Sequence, residues 1–84
     1  MDIAGWNERS RPARLERRLE FPDYEATRVF LDRAADLSER EGLYPDMSFG
    51  RTYVNITVHA DEGAEALGER QRRLAEGINA LLAS

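Results

Sequence analysis

Few side chains in this 84-residue chain can move a proton near neutral pH. The single histidine, His59, stands two positions ahead of Asp61. Both protonation states of an imidazole are populated near neutrality, which suits general acid–base work. Asp61 and Glu62 are adjacent carboxylates and form a second candidate pair for the same work. A general base must reach its proton-transfer partner through a hydrogen bond. The plainer reading therefore makes His59 an edge or partly buried imidazole with one satisfied hydrogen bond. It likewise has Asp61 and Glu62 end a strand and favour the N-terminus of the next helix. Arg14, Arg17 and Arg18, beside Arg9 and Arg11, form a candidate basic patch for an acidic partner surface. The alternative is a solvated strand face balanced by Glu16 and Glu20.

Composition removes several other chemistries. Cysteine is absent, and with it disulfides, thiolate metal sites and cysteine nucleophiles. All 12 basic residues are arginine, so there is no Schiff-base lysine and no P-loop lysine. One histidine excludes a multi-histidine metal site within one chain. The net charge is −4 and opposite charges are interspersed, which disfavours nucleic acid as the main partner. Apolar runs fall far short of the ~18 residues that cross a bilayer. No apolar N-terminal segment suggests export. The expectation is a small cytoplasmic domain spanning residues 1–84, with no cofactor, metal or membrane contact.

The elements that must position these residues follow from periodicity. Gly5–Glu8 reads as a short extended start. Arg11-Pro12 suits a turn. From Ala13 to Phe21, Leu15, Arg17, Leu19 and Phe21 share one parity and charged residues the other, which is a half-buried strand. Arg17 interrupts the apolar side, with its stem on the core and its guanidinium at the edge. Pro22-Asp23 then changes the period. Asp23 is a good N-cap, and Ala26, Val29, Phe30, Ala34 and Leu37 follow at helical spacing. Gly42 and Pro45 close that helix, placed at about 24–41. Asp36 and Arg40 are spaced for an i,i+4 ion pair. Met47 to Ala60 reads as two strands or one bent strand, with the bend at Phe49-Gly50-Arg51. Val54, Ile56 and Val58 mark its apolar face. A last helix is placed at about Ala64 to Leu82, with Leu67, Gln71, Leu74, Ile78 and Leu81 as its stripe. Gly68 and Gly77 weaken it, and Gly77 offers room for another backbone. The fold class is α+β: a four-stranded antiparallel sheet covered on one face by two helices, in the order ββαββα. Exposed edges and an open face favour self-association as a homodimer.

With these elements in order, the chain resembles the pterin-4a-carbinolamine dehydratase family. The likeness is carried by Gly5-Trp6-Asn7-Glu8, Leu15-x-Arg17-x-Leu19-x-Phe21, Asp23-Tyr24 with Phe30, Val54-x-Ile56-Thr57-Val58, and Leu67-Gly68-Glu69-Arg70 with Leu74-Ala75. Leu43-Tyr44-Pro45-Asp46 stands where the family has its His-His-Pro-acid segment. The third family histidine falls on Asp61, and a family aspartate at the start of the last helix falls on Gln71. Three histidines do the family's acid–base work. Leucine carries no proton, and a phenol, ordinarily ionising near pH ~10, is a poor base at neutral pH. The resemblance thus implies a retained fold with its catalysis removed. It is strongest to a non-catalytic branch that assists Rubisco assembly in α-carboxysome bacteria. That implies Rubisco subunits as partners, carboxysome association, and a vestigial pocket of Leu43, Tyr44, Pro45, Asp46, His59, Asp61 and Gln71. Leu43 and Tyr44 either receive a partner side chain there or pack the helix–strand corner. Gln71 is expected to send its amide to solvent or to a dimer mate. Trp6 is expected to cover the core from a strand end, with an interface anchor as the alternative. Two other readings stay open: weak dehydratase activity through His59 or Asp61, and a dimerisation cofactor for a regulatory protein.

Overall fold

A computed structural model describes residues 3–83. The elements are β1 (Asn7–Ser10), β2 (Ala13–Glu20), α1 (Tyr24–Glu41), β3 (Asp46–Phe49), β4 (Tyr53–His59) and α2 (Glu69–Ala83). All neighbouring strands are antiparallel, in the sheet order β1-β2-β4-β3. Register follows from which residues must leave water. Leu15 faces Val58 and Leu19 faces Val54, so both apolar rows lie on one side of the sheet. Both helices cover that side, through Phe30, Ala34 and Leu37 of α1 and Leu74, Ala75 and Ile78 of α2. The α+β architecture and the ββαββα order are those read from the sequence.

Local chemistry sets the ends of α1. The Asp23 carboxylate accepts from the Ala26 amide at 2.8 Å, as an N-cap does. At the other end Gly42 adopts φ 68°, a left-handed conformation that side chains resist. Its amide and that of Leu43 both donate to the Ser38 carbonyl, combining the 5→1 bond of an αL cap with the 6→1 bond of a Schellman motif. The expected Asp36–Arg40 pair is absent among the described residues. Instead Arg28 gathers Glu25 at 2.7 Å and Asp32 at 3.3 Å on the same helix. Thr27, an N-terminal-half residue of α1, is fully buried, and its hydroxyl donates to the Arg51 carbonyl at 2.8 Å. This bond fixes α1 to the β3–β4 turn. Gly50 in that turn lies against the Tyr53 ring, where an added Cβ would come within 2.3 Å. The stretch 47–60 is therefore two strands joined by a tight turn.

The start of α2 differs from its reading. The helix begins at Glu69, not near Ala64, and residues 61–68 form a loop with a turn at Glu62-Gly63. Gly68 is the residue ahead of the helix. Its carbonyl accepts the first helical bond, from Arg72 at 3.3 Å. Its amide donates to the Gln71 side chain at 2.8 Å. That is the reaching-back half of a capping box. Leu67 still packs on the core from the loop, so the apolar stripe runs past the helix end. Gly77 does sit at a close approach, but the neighbour is the Leu37 side chain rather than a backbone. An added Cβ would be 3.0 Å from Leu37 Cδ2.

Candidate functional site

Three chain segments meet beyond one end of the sheet: Gly42–Asp46, His59–Asp61 and Gly68–Gln71. Strand alternation and the two helix caps bring them there. Arg70, from the first turn of α2, donates to the Gly42 carbonyl at 2.9 Å and so ties α2 to the end of α1. Asp61 follows β4 and accepts from Gln71 Nε2 at 2.9 Å. Arg70 lies 3.9 Å from the same carboxylate. Ala60 donates to the Ala13 carbonyl at 3.1 Å, which holds the start of this loop on β2.

Gln71 is the residue whose environment departs most from its reading. It is fully buried, and its amide reaches neither solvent nor a second chain. The oxygen accepts from Gly68 and the nitrogen donates to Asp61. A buried amide without partners is costly, and the chain supplies partners at both ends. No buried side-chain nitrogen or oxygen among the described residues is left without a hydrogen bond.

The other candidate residues divide by exposure. Leu43 packs against the core, whereas Tyr44 is 69% exposed. Only the first fills the helix–strand corner. Pro45 is half-buried between them and β3. His59 lies on the open face of the sheet. A carboxylate only accepts, so His59 donates from Nε2 to Asp46 at 2.8 Å. Both side chains of this pair are well exposed. His59 thus has the single satisfied bond of the plainer reading, but it ends β4, an inner strand of the sheet, and its side chain is exposed. Its bond goes to Asp46, while Asp61 is bonded to Gln71. The two acid–base candidates are not joined. Chemically this end of the molecule holds one exposed imidazole–carboxylate pair and one carboxylate engaged by an amide.

The basic residues do not form one patch. Alternation along β2 sends Arg14 and Arg18 to the open face and Arg17 to the helix-covered face. On the open face Arg14 binds Glu16 at 2.8 Å, and Arg9 reaches the same carboxylate at 3.3 Å. The Arg14 hydrogen bond, with Arg9 adding to it, holds the Glu16 carboxyl below its ordinary range. Arg18 lies 3.7 Å from Glu20 and stacks 4.5 Å over the Tyr53 ring. This is the balanced, solvated face. Trp6 is buried at the sheet end, as expected, and its indole donates to Asn79 at 3.0 Å. An apolar groove of about 430 Å³ lies elsewhere, between the start of α1 and the end of α2, lined by Phe21, Val29 and Phe30 among others. It contains none of the candidate residues.

Neither Arg70 nor Gly68 has a role at this site in the sequence reading. The Gly68-x-x-Gln71 spacing was the available signal for both the cap and the loop it fastens. No local signal marks Arg70, because its partner is a backbone carbonyl 28 residues earlier.

The likeness to known proteins extends along the chain. A curated protein of Azoarcus sp. (strain BH72), named "Putative pterin-4-alpha-carbinolamine dehydratase", is 34% identical over 53 residues. The match takes in 63% of this chain and 45% of that protein, so the chain spans less than half of its length. A solved pterin dehydratase-like protein, described as a RuBisCO assembly factor in the alpha-carboxysome, superposes with a TM-score of 0.84 at 43% identity. The overlap covers 95% of this chain and 92% of that one. A transcriptional coactivator/pterin dehydratase from Brucella melitensis also superposes with a TM-score of 0.84, over 94% of this chain and 83% of its own. At 22% identity it shares the fold alone. The family model of pterin 4 alpha carbinolamine dehydratase matches residues 1–81, and the chain belongs to that family.

Proposed function

We propose that this protein is a non-catalytic member of its family that assists Rubisco assembly in the cytoplasm of α-carboxysome bacteria, in association with the carboxysome. The observation that carries this is the 43% identity, over nearly the full length of both chains, to the RuBisCO assembly factor. The chemistry of the candidate site agrees with it. Leu43 and Tyr44 stand where the family resemblance calls for histidines, and Asp61 is engaged by Gln71. Partner contact would use exposed apolar surface. Tyr44, at 69% exposure, lies just ahead of the edge strand β3, and Phe49, at 56%, is its last residue. Such rigid aromatics suit protein interfaces. A homodimer belongs to the same proposal, since among the described residues β1 and β3 each leave one edge unpaired.

The test is co-expression of Rubisco subunits with and without this protein, reading assembled holoenzyme on a native gel. More holoenzyme is expected with the protein present, and less of that gain with Tyr44→Ala and Phe49→Ala together. An unchanged holoenzyme yield overturns the reading.

The second reading, residual dehydratase activity, is favoured by the His59–Asp46 pair and the name of the Azoarcus relative. Turnover of a 4a-hydroxytetrahydropterin, abolished in His59→Ala or Asp61→Ala, would establish it. The regulatory reading has only fold likeness behind it.

A further inference from the structure

Strand alternation places Arg17 between Leu15 and Leu19, on the face of β2 that packs under the helices. A charge is costly in such a position unless it is paired. The neighbouring Arg14 and Arg18 each have a carboxylate. Arg17 is half-buried, and among the described residues no carboxylate lies within ion-pair distance of it. Among the described residues its one hydrogen-bond partner is Asn79 Oδ1.

The surroundings hold the guanidinium in a fixed pose. Asn79 Oδ1 also accepts from the Trp6 indole, and Asn79 Nδ2 donates to the Ala4 carbonyl at 3.0 Å. These bonds aim the amide oxygen at Arg17. The cation lies 5.9 Å from the Trp6 ring centroid. Gly5, at φ +84°, leaves it room, since a Cβ there would come within 2.7 Å of Arg17 Cζ. The free N–H groups adjoin a groove of about 370 Å³ lined by Ala4, Gly5, Asn79, Leu82 and Ala83. No buried nitrogen is orphaned, so those donors are reachable from solvent.

We propose that Arg17, buttressed by Asn79 and Trp6, recognises a carboxylate borne beside an aliphatic group on a partner polypeptide. A guanidinium fork matches a carboxylate with two parallel hydrogen bonds. Leu82 and the two alanines supply the apolar wall beside it. The site lies at the far end of α2 from Gln71, and it stands independently of the Rubisco reading.

Trp6 is the only tryptophan, so its fluorescence reports on this site alone. The experiment titrates the protein with N-acetyl-alanyl-leucine as the free acid, with the same dipeptide as its amide, and with N-acetyl-leucyl-glutamate amide. Saturable change with either carboxylate and none with the neutral amide is expected, and the better of the two acids identifies the source as a chain end or a side chain. Arg17→Met, with its fold checked by circular dichroism, should weaken binding about tenfold or more, and Arg17→Lys should weaken it as a point charge without the fork. Arg18→Met should leave it unchanged. Equal response to the neutral amide, no response to any probe, or the same loss in Arg18→Met overturns the assignment. Asp2 lies outside the described residues; binding that appears only in Asp2→Asn would put this chain's own carboxylate in the groove, which also overturns it.

Discussion

A glutamine amide removed from water is stabilising only when both its ends are bonded, and Gln71 has Gly68 on one end and Asp61 on the other. Gln71→Ala removes the cap and the loop clasp together and leaves a cavity. It should cost about 2 kcal/mol in urea unfolding, with faster amide hydrogen exchange across 61–68. Glu16 shows a different situation, a half-buried carboxylate between two arginines. Arg9 and Arg14 are directly opposed across β1 and β2, an unfavourable like-charge placement that Glu16 offsets. Its folded pKa is lowered, first by the Arg14 hydrogen bond. The linked stability is therefore complete above the ordinary glutamate range and is lost as pH falls through the lowered value. Glu16→Gln should melt lower than the parent at neutral pH, and the gap should narrow as pH falls below the ordinary glutamate range and through the lowered value. A gap that persists in acid would refute the electrostatic origin. At this scale the sequence identified His59 and Asp61 as candidates but not their partners. Partner choice needs distances between residues 10 to 13 positions apart in the chain, which no spacing rule supplies.

Elements were legible where local chemistry alone sets their limits. The α1 boundaries coincide with the reading because Asp23 and Gly42 are caps that act within one turn. The start of α2 was misplaced because Leu67 packs on the core from a loop and imitates one more helical position. Periodicity records burial, and burial does not require helix. Helix contact also explains Gly77. Its missing side chain lets Leu37 of α1 pack against α2. Gly77→Val should destabilise by about 1–3 kcal/mol through crowding, despite leaving a glycine out of a helix interior. An equal or higher urea midpoint would mean that Leu37 relaxes freely. The single basic patch failed for a related reason. Three nearby arginines on a strand cannot share a face when their parities differ.

The whole molecule has one sheet face packed under helices and one face of polar and charged side chains. Its core is modest, and a domain of this size rarely gains more than roughly 3–5 kcal/mol from such a core. With both sheet edges unpaired among the described residues, a homodimer would supply the remaining stability. Dimerisation linked to folding makes the melting temperature rise with protein concentration. A measurable rise is expected over a hundredfold range of concentration, read by circular dichroism. A constant value with a monomer mass in light scattering would exclude the dimer. By itself the sequence determined the element order, the core-facing rows and both ends of α1. Those depend on periodicity and on caps that act over a few residues. Only the tertiary structure decided that Gln71 is sealed inside, that Asp46 rather than Asp61 meets His59, and that Arg17 lies beside an open groove with no counter-charge among the described residues. Each is a contact between segments distant in the chain, and its energy exists only once the sheet and both helices are packed.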